Sequence, residues 1–180
     1  MDGSVSVDVV EQVQSTFNRK LSEIDSPLRY TCCIFRVPDV LRRQKEQAYE
    51  PDIVSIGPLH RGADAKFELV ENVKEWYLKC LLERMKTTMS LDSLIDIIKE
   101  LEKEARGCYS DPCKHLDQIV FIQMLILDGC FLIELFRKAA DARQVDNNDP
   151  IFNVPCMLGY LYHDLVSRKS ATLVCARVFV

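Results

Sequence analysis

The sequence predicts a mainly α-helical protein. The expected form is a multi-helix bundle around a central apolar helix at about residues 112–140, with one or two short extended segments. Three observations carry this. Apolar residues recur at spacings of three and four in successive stretches, which is the period of a helix face and not of a strand. The run "IVFIQMLILDGCFLIELF" (119–136) is apolar around its whole circumference, as the inner helix of a bundle must be. Hydrophobic residues make up 48% of 180, enough to fill the core of one ordinary domain.

Taken in order, residues 8–24 form the first expected helix. Val10, Val13, Phe17, Leu21 and Ile24 share one face, and Pro27 closes the segment. "YTCCIFRV" then reads as an extended run ending at Pro38. Pro38 suits the first turn of a short helix, "PDVLRRQKEQA", because its missing N–H has no helical partner there anyway. The next stretch, "PDIVSIGPLHRG" (51–62), reads as an extended piece followed by a rigid Gly-Pro corner.

A long helix follows over about 64–86. Leu69, Val73, Trp76 and Cys80 make one stripe, and Phe67, Val70, Tyr77 and Leu81 widen it. Lys66, Glu68, Glu71, Lys74, Glu75, Lys79, Glu83, Arg84 and Lys86 read as a solvated face of mixed sign. Ser90 is the expected N-cap of another helix. Its buried face would be Leu91, Leu94, Ile95, Ile98, Leu101 and Ala105, with Gly107 as terminator. "SDPC" suggests that the central helix starts with Asp111 as cap and Pro112 at its first position. "DARQVDNNDP" reads as loop, and "PCMLGYLYHDLV" as a last helix.

Charge and composition exclude several classes. A net charge of -4 and a pI of about 5.4 argue against a dedicated nucleic-acid binder, which usually shows a basic face. "MDGSVSVDVV" lacks the basic and apolar regions of a signal peptide, and Asp2 in place of glycine excludes myristoylation. The expected location is therefore cytoplasmic, with the eight cysteines as free thiols. The central run approaches the roughly 20 residues a bilayer needs. Gln123, Asp128 and Glu134 interrupt it, and a central Asp costs roughly 2.5–3.5 kcal/mol on insertion, so a buried core helix is expected instead.

Asp128 then needs partners, because a buried carboxylate must be hydrogen-bonded or paired. Six residues from Glu134, it points elsewhere on the helix, so the two are not an acid/base pair. Glu134 stands one turn before Arg137 and Lys138, a salt-bridge spacing. Asp128 is expected to reach another segment and fix its backbone.

Other chemistry is sparse. "SIGPLHRG" lacks both the P-loop and the dinucleotide pattern, and Pro58 removes a donor that a phosphate would need. Cys108, Cys113 and His115, which Cys130 or His60 could complete, contain no CxxC pair, so no metal is predicted. His60 is the best single catalytic candidate, but nothing resembles a protease signature. No catalytic, cofactor or metal residue is assigned. The residues singled out as a structural motif are Ser55, Gly57, Pro58, His60 and Gly62 with Asp128, Gly129 and Glu134.

The blocks "CCIFRVPDVLRRQKEQAYEPDIVSIGPLHRG", "SLDSLIDIIKELEKEARGCY", "MLILDGCFLIELF" and "DPIFNVPCML" resemble, in this order, the plant family called domain of unknown function 247. The resemblance covers roughly residues 28–165, preceded by the helical segment 1–27 and followed by a divergent tail, 166–180. It implies a largely helical protein without established catalytic residues, and interaction partners of protein nature. It also implies plasma-membrane anchoring through a C-terminal segment. After "YLYHDLV" the family continues with a stretch like "LLENQLPFFVL", where this chain reads "SRKSATLVCARVFV". The expectation is a chain shortened relative to its family and lacking that anchor. The leading functional reading is a non-enzymatic interaction or signalling module with an unknown protein partner. The alternatives are an enzyme or small-ligand binder using His60, Asp128 and Cys130, and a non-functional truncation product.

Overall fold

The structure, a computed structural model, describes residues 5–23, 34–35, 37–44, 49–59, 65–111 and 113–167. The chain divides into two compact units, residues 1–32 and 33–180. The first is described by helix α1 (Val5–Glu23). Its stripe of Val9, Val10, Val13, Phe17 and Leu21 is exposed. It starts three residues before the expected position, and Ile24 lies outside the described residues.

The second unit is built around α5 (Gln118–Ala140), with α3 (Glu68–Met85) and α4 (Leu91–Gly107) packed against it. The shorter helices are α2 (Asp39–Arg42), α6 (Pro150–Asn153) and α7 (Met157–Ser167). Among the described residues there is no β-strand. The expected extended piece around "CIF" survives as one parallel bridge, in which Ile34 N–H donates to Cys108 O (2.9 Å) and Ser110 N–H to Ile34 O (2.8 Å). Pro38 stands one position earlier than expected, as the N-cap of α2, where its carbonyl accepts from Leu41 and Arg42 N–H.

Two apolar clusters meet on α5. One joins Leu94, Ile98 and Ala105 of α4 to Phe121, Met124, Leu125 and Cys130. The other joins Val70, Val73 and Tyr77 of α3 to Phe131, Leu132 and Leu135, and closes with Val54, Ile151 and Leu161. This consumes most of the helix's circumference. Although α5 is long and apolar enough to cross a membrane, 61% of its most apolar window is buried inside the fold.

The buried faces differ from expectation at three points. In α3 the core positions are Val70, Val73, Lys74, Tyr77 and Leu81, while Leu69 is exposed and Trp76 and Cys80 are half-buried. In α4 Ser90 caps as expected, its Oγ accepting from Ser93 N–H at 3.2 Å, but Leu91 and Ile95 are exposed. The third point is the start of the central helix. It begins at Gln118, capped by Asp117, whose carboxylate accepts from Val120 N–H at 2.8 Å.

The later start has a physical cause in the 113–117 turn. Cys113 has φ of 51°, a left-handed conformation that no helix can run through. Asp111 is spent on Cys113 N–H (3.2 Å). Arg106 of α4 takes the carbonyls of Cys113, Leu116 and Asp117 at 2.9–3.1 Å and lies 4.0 Å over the Phe121 ring. That single guanidinium folds the turn onto the end of α4.

Two neighbours on α5 test this assignment. Phe121→Ala, at a fully buried position, should cost about 3–5 kcal/mol. Ile119→Ala, at a position 69% exposed, should stay within about 0.5 kcal/mol. Urea denaturation with an unchanged slope measures both.

Candidate functional site

Segment 51–59 has no strand partner, although Pro51, Val54, Ser55, Gly57 and Pro58 are buried. Its backbone groups therefore need partners from side chains. Three charged residues on three different helices supply them. Asp164 of α7 accepts from Asp52 N–H (2.9 Å), Ile53 N–H (2.8 Å) and Val54 N–H (3.0 Å). Lys74 of α3 donates to Ser55 O at 2.6 Å. Asp128 of α5 accepts from Gly57 N–H at 2.8 Å.

Lys74 and Asp128 are also paired with each other at 2.7 Å, and Glu71 joins Lys74 at 2.6 Å. Both partners of the central pair are fully buried. Gly57 presents its N–H to the carboxylate from a φ of 82°, which a side-chain-bearing residue adopts only with strain. Pro58 follows and has no N–H to leave unmatched. The Ser55 hydroxyl beside this network is buried without a partner among the described residues.

Two further buried carboxylates repeat the pattern. Asp149 accepts from Tyr77 Oη (2.8 Å), Lys138 Nζ (2.7 Å) and Ile151 N–H (3.0 Å), tying α3, α5 and α6 together. Lys138 lies 4.5 Å from the Trp76 ring centroid and 4.3 Å from that of Tyr77. Burial, and then the Asp149 hydrogen bond, push the Tyr77 phenol far up, so it stays a proton donor. Glu134 is fully buried between Arg84 of α3 and Arg137, the latter at 2.6 Å. The expected helical neighbour Arg137 thus meets Glu134, whereas Lys138 turns away to Asp146 and Asp149.

Of the residues the sequence singles out, Ser55, Gly57 and Pro58 lie beside Asp128, and Gly129 is buried next to it. Glu134 sits in its own cluster. His60 and Gly62 lie outside the described residues. Three residues escaped the sequence reading: Lys74, Asp149 and Asp164. A signal for Lys74 existed, because 70, 74, 77 and 81 keep the helical spacing of the buried stripe. The corrected reading moves Lys74 from the solvated face to the core, where two carboxylates and a carbonyl satisfy its ammonium. Asp164 keeps the same spacing with Met157 and Leu161.

The chemistry open to these groups is narrow. Both oxygens of Asp128 are engaged. Burial pushes the Cys130 thiol up to about 12. Cys108 and Cys113 are buried while His115 is exposed, and the Cys113 thiol donates to Asp111 O at 3.2 Å. Asp52, His163 and Asp164 come together as possible metal donors, with His163 Nδ1 3.7 Å from Asp52. However, Asp164 already serves three backbone N–H groups. A different surface is open and concave. Between α3, α4 and the first half of α5 runs a groove of about 570 Å³ with mostly aliphatic walls.

A family model described as DUF247, plant protein of unknown function, matches residues 34–167. The chain is similar to the UPF0481 protein At3g47200 of Arabidopsis thaliana, at 32% identity over 144 residues. The match covers 79% of this chain and 29% of that protein, so the chain spans about 29% of the length of this curated relative. No solved structure matches it.

Two measurements test the buried network. Lys74→Met leaves the Asp128 carboxylate buried and unpaired and should cost about 3–5 kcal/mol. Lys74→Met with Asp128→Leu should recover part of that loss in the same denaturation assay, because two uncharged groups need no desolvation. In the second measurement, iodoacetamide at pH 8 should modify the exposed Cys156 and spare Cys130 in the folded protein. A thiol raised to about 12 carries almost no thiolate there, and the thiolate is the nucleophile. Peptide mass spectrometry reads both sites, and native-state modification of Cys130 would contradict the burial.

Proposed function

The chain belongs to the plant DUF247 family, and from that premise we propose that it is a non-enzymatic interaction module. One observation carries the reading. The buried charges Lys74, Asp128 and Glu134 are spent on binding chain to chain, while the open concave surface is aliphatic. A general base or nucleophile has to reach a substrate. Asp128 and Cys130 are both fully buried. A rigid helical scaffold that displays an apolar surface suits a protein partner. As part of the same proposal, the module works on the cytosolic side, where its cysteines stay reduced. The same proposal takes the plasma membrane as the place where the family works.

The test is affinity purification of the tagged chain from plant tissue, quantified by mass spectrometry and paired with incubation in a plant metabolite extract. The expected result is one protein retained in stoichiometric amount by wild type and by Cys130→Ala alike, with an unchanged metabolite profile. A metabolite consumed by wild type and spared by Cys130→Ala would overturn the reading. So would the lack of any stoichiometric protein partner.

A further inference from the structure

We propose that the groove between α3, α4 and α5 receives an amphipathic helix of a protein partner, aliphatic on its inner face and bearing a lysine or arginine that meets Glu75. This rests on the interaction reading and names the surface and the chemistry it takes.

The walls come from helix faces that have more apolar residues than the core can use. Leu94 and Ile98 of α4 turn into the core, while Leu91 and Ile95 on the adjoining side face the groove at 43% and 37% exposure. Across from them Ile119 of α5 is 69% exposed. Large aliphatics concentrated at one open place mark an interaction surface, whereas isolated ones do not. At about 570 Å³ the volume falls in the range of binding clefts. The lining is shared by three helices, α3, α4 and α5. A helix laid along it would bury its apolar stripe, the groove mode of helix recognition.

Charge selects the partner's sign. The polar groups of the lining are one carboxylate, Glu75, and one amide, Gln123, with no cation. Glu71, one turn earlier on α3, is taken by Lys74 at 2.6 Å, so Glu75 is the carboxylate that the groove presents. Lys79, one turn beyond Glu75, is directed to Glu83 at 3.9 Å. Among the described residues no ion pair engages Glu75. A cation brought by the partner would complete it, and the like-signed surface of an anionic membrane would be repelled.

The experiment uses the full chain and two labelled synthetic helices of about 16 residues with the same leucine stripe, one flanked by lysines and the other by glutamates. Fluorescence anisotropy reads binding. The lysine peptide should bind saturably, and the glutamate peptide about tenfold or more weaker. Ile119→Asp and Ile95→Asp, both at exposed positions, should each weaken the lysine peptide about tenfold, with unchanged thermal melts. Glu75→Lys should reverse the preference between the peptides. Equal binding of both peptides overturns the proposal, as does binding indifferent to Ile119→Asp. Ile119-dependent sedimentation with phosphatidylserine vesicles overturns it in favour of a membrane surface. If the plant partner is retained equally by Ile119→Asp, the groove assignment falls and the interaction reading stands. If wild type retains no partner but binds the lysine peptide through Ile119, the groove stands and that reading falls.

Discussion

The buried pair of Lys74 and Asp128 is the interaction on which the rest of this unit depends. It joins α3 to α5 at 2.7 Å, and each partner also bonds segment 51–59, Lys74 at Ser55 O and Asp128 at Gly57 N–H. Two charges taken out of water are expensive, and their mutual attraction offsets that cost only with further hydrogen bonds of good geometry. The segment's unpaired backbone supplies those bonds. The charges need the segment, and the segment, having no strand partner, needs the charges.

Asp164, Asp149 and Glu134 extend the arrangement to the rest of the unit. Each is a buried carboxylate joined to backbone or side chains of other elements, and each fixes one junction: α7 to segment 52–54, α6 to α3 and α5, and α3 to α5. Apolar contacts supply most of the free energy, because burial scales with area and is non-directional. A non-directional force lets helices slide and rotate. The buried ions fix position instead, since a carboxylate displaced by an ångström or two loses its donors and stays desolvated. We read them as devices of specificity, which explains why a largely apolar helix such as α5 carries Asp128, Glu134 and Lys138.

That economy also bears on function. Side chains committed to geometry are withdrawn from chemistry, and this is what supports the proposed interaction role. The aliphatic groove follows from α4 having a wider apolar arc than its contact with α5 can cover. The same arc made Leu91 and Ile95 look like core residues in the sequence, because periodicity measures the width of an apolar face and not how much of it a neighbour reaches.

The sequence by itself determined the long helices, the central apolar one among them, the Ser90 cap and the family, because each is written in local spacing or in contiguous blocks. It also showed that a carboxylate at 128 inside an apolar helix must have a partner. Only the tertiary structure decided which partner. Lys74 lies 54 positions away in the chain and Asp164 lies 110 from the Val54 N–H it accepts from. It decided too that Lys74 is core and that the central helix waits until Gln118, since Arg106 takes the carbonyls before it. The physical reason is common to these cases. A charged side chain reads as solvated until the fold brings an opposite charge and a bare backbone to it, and no local pattern encodes that meeting.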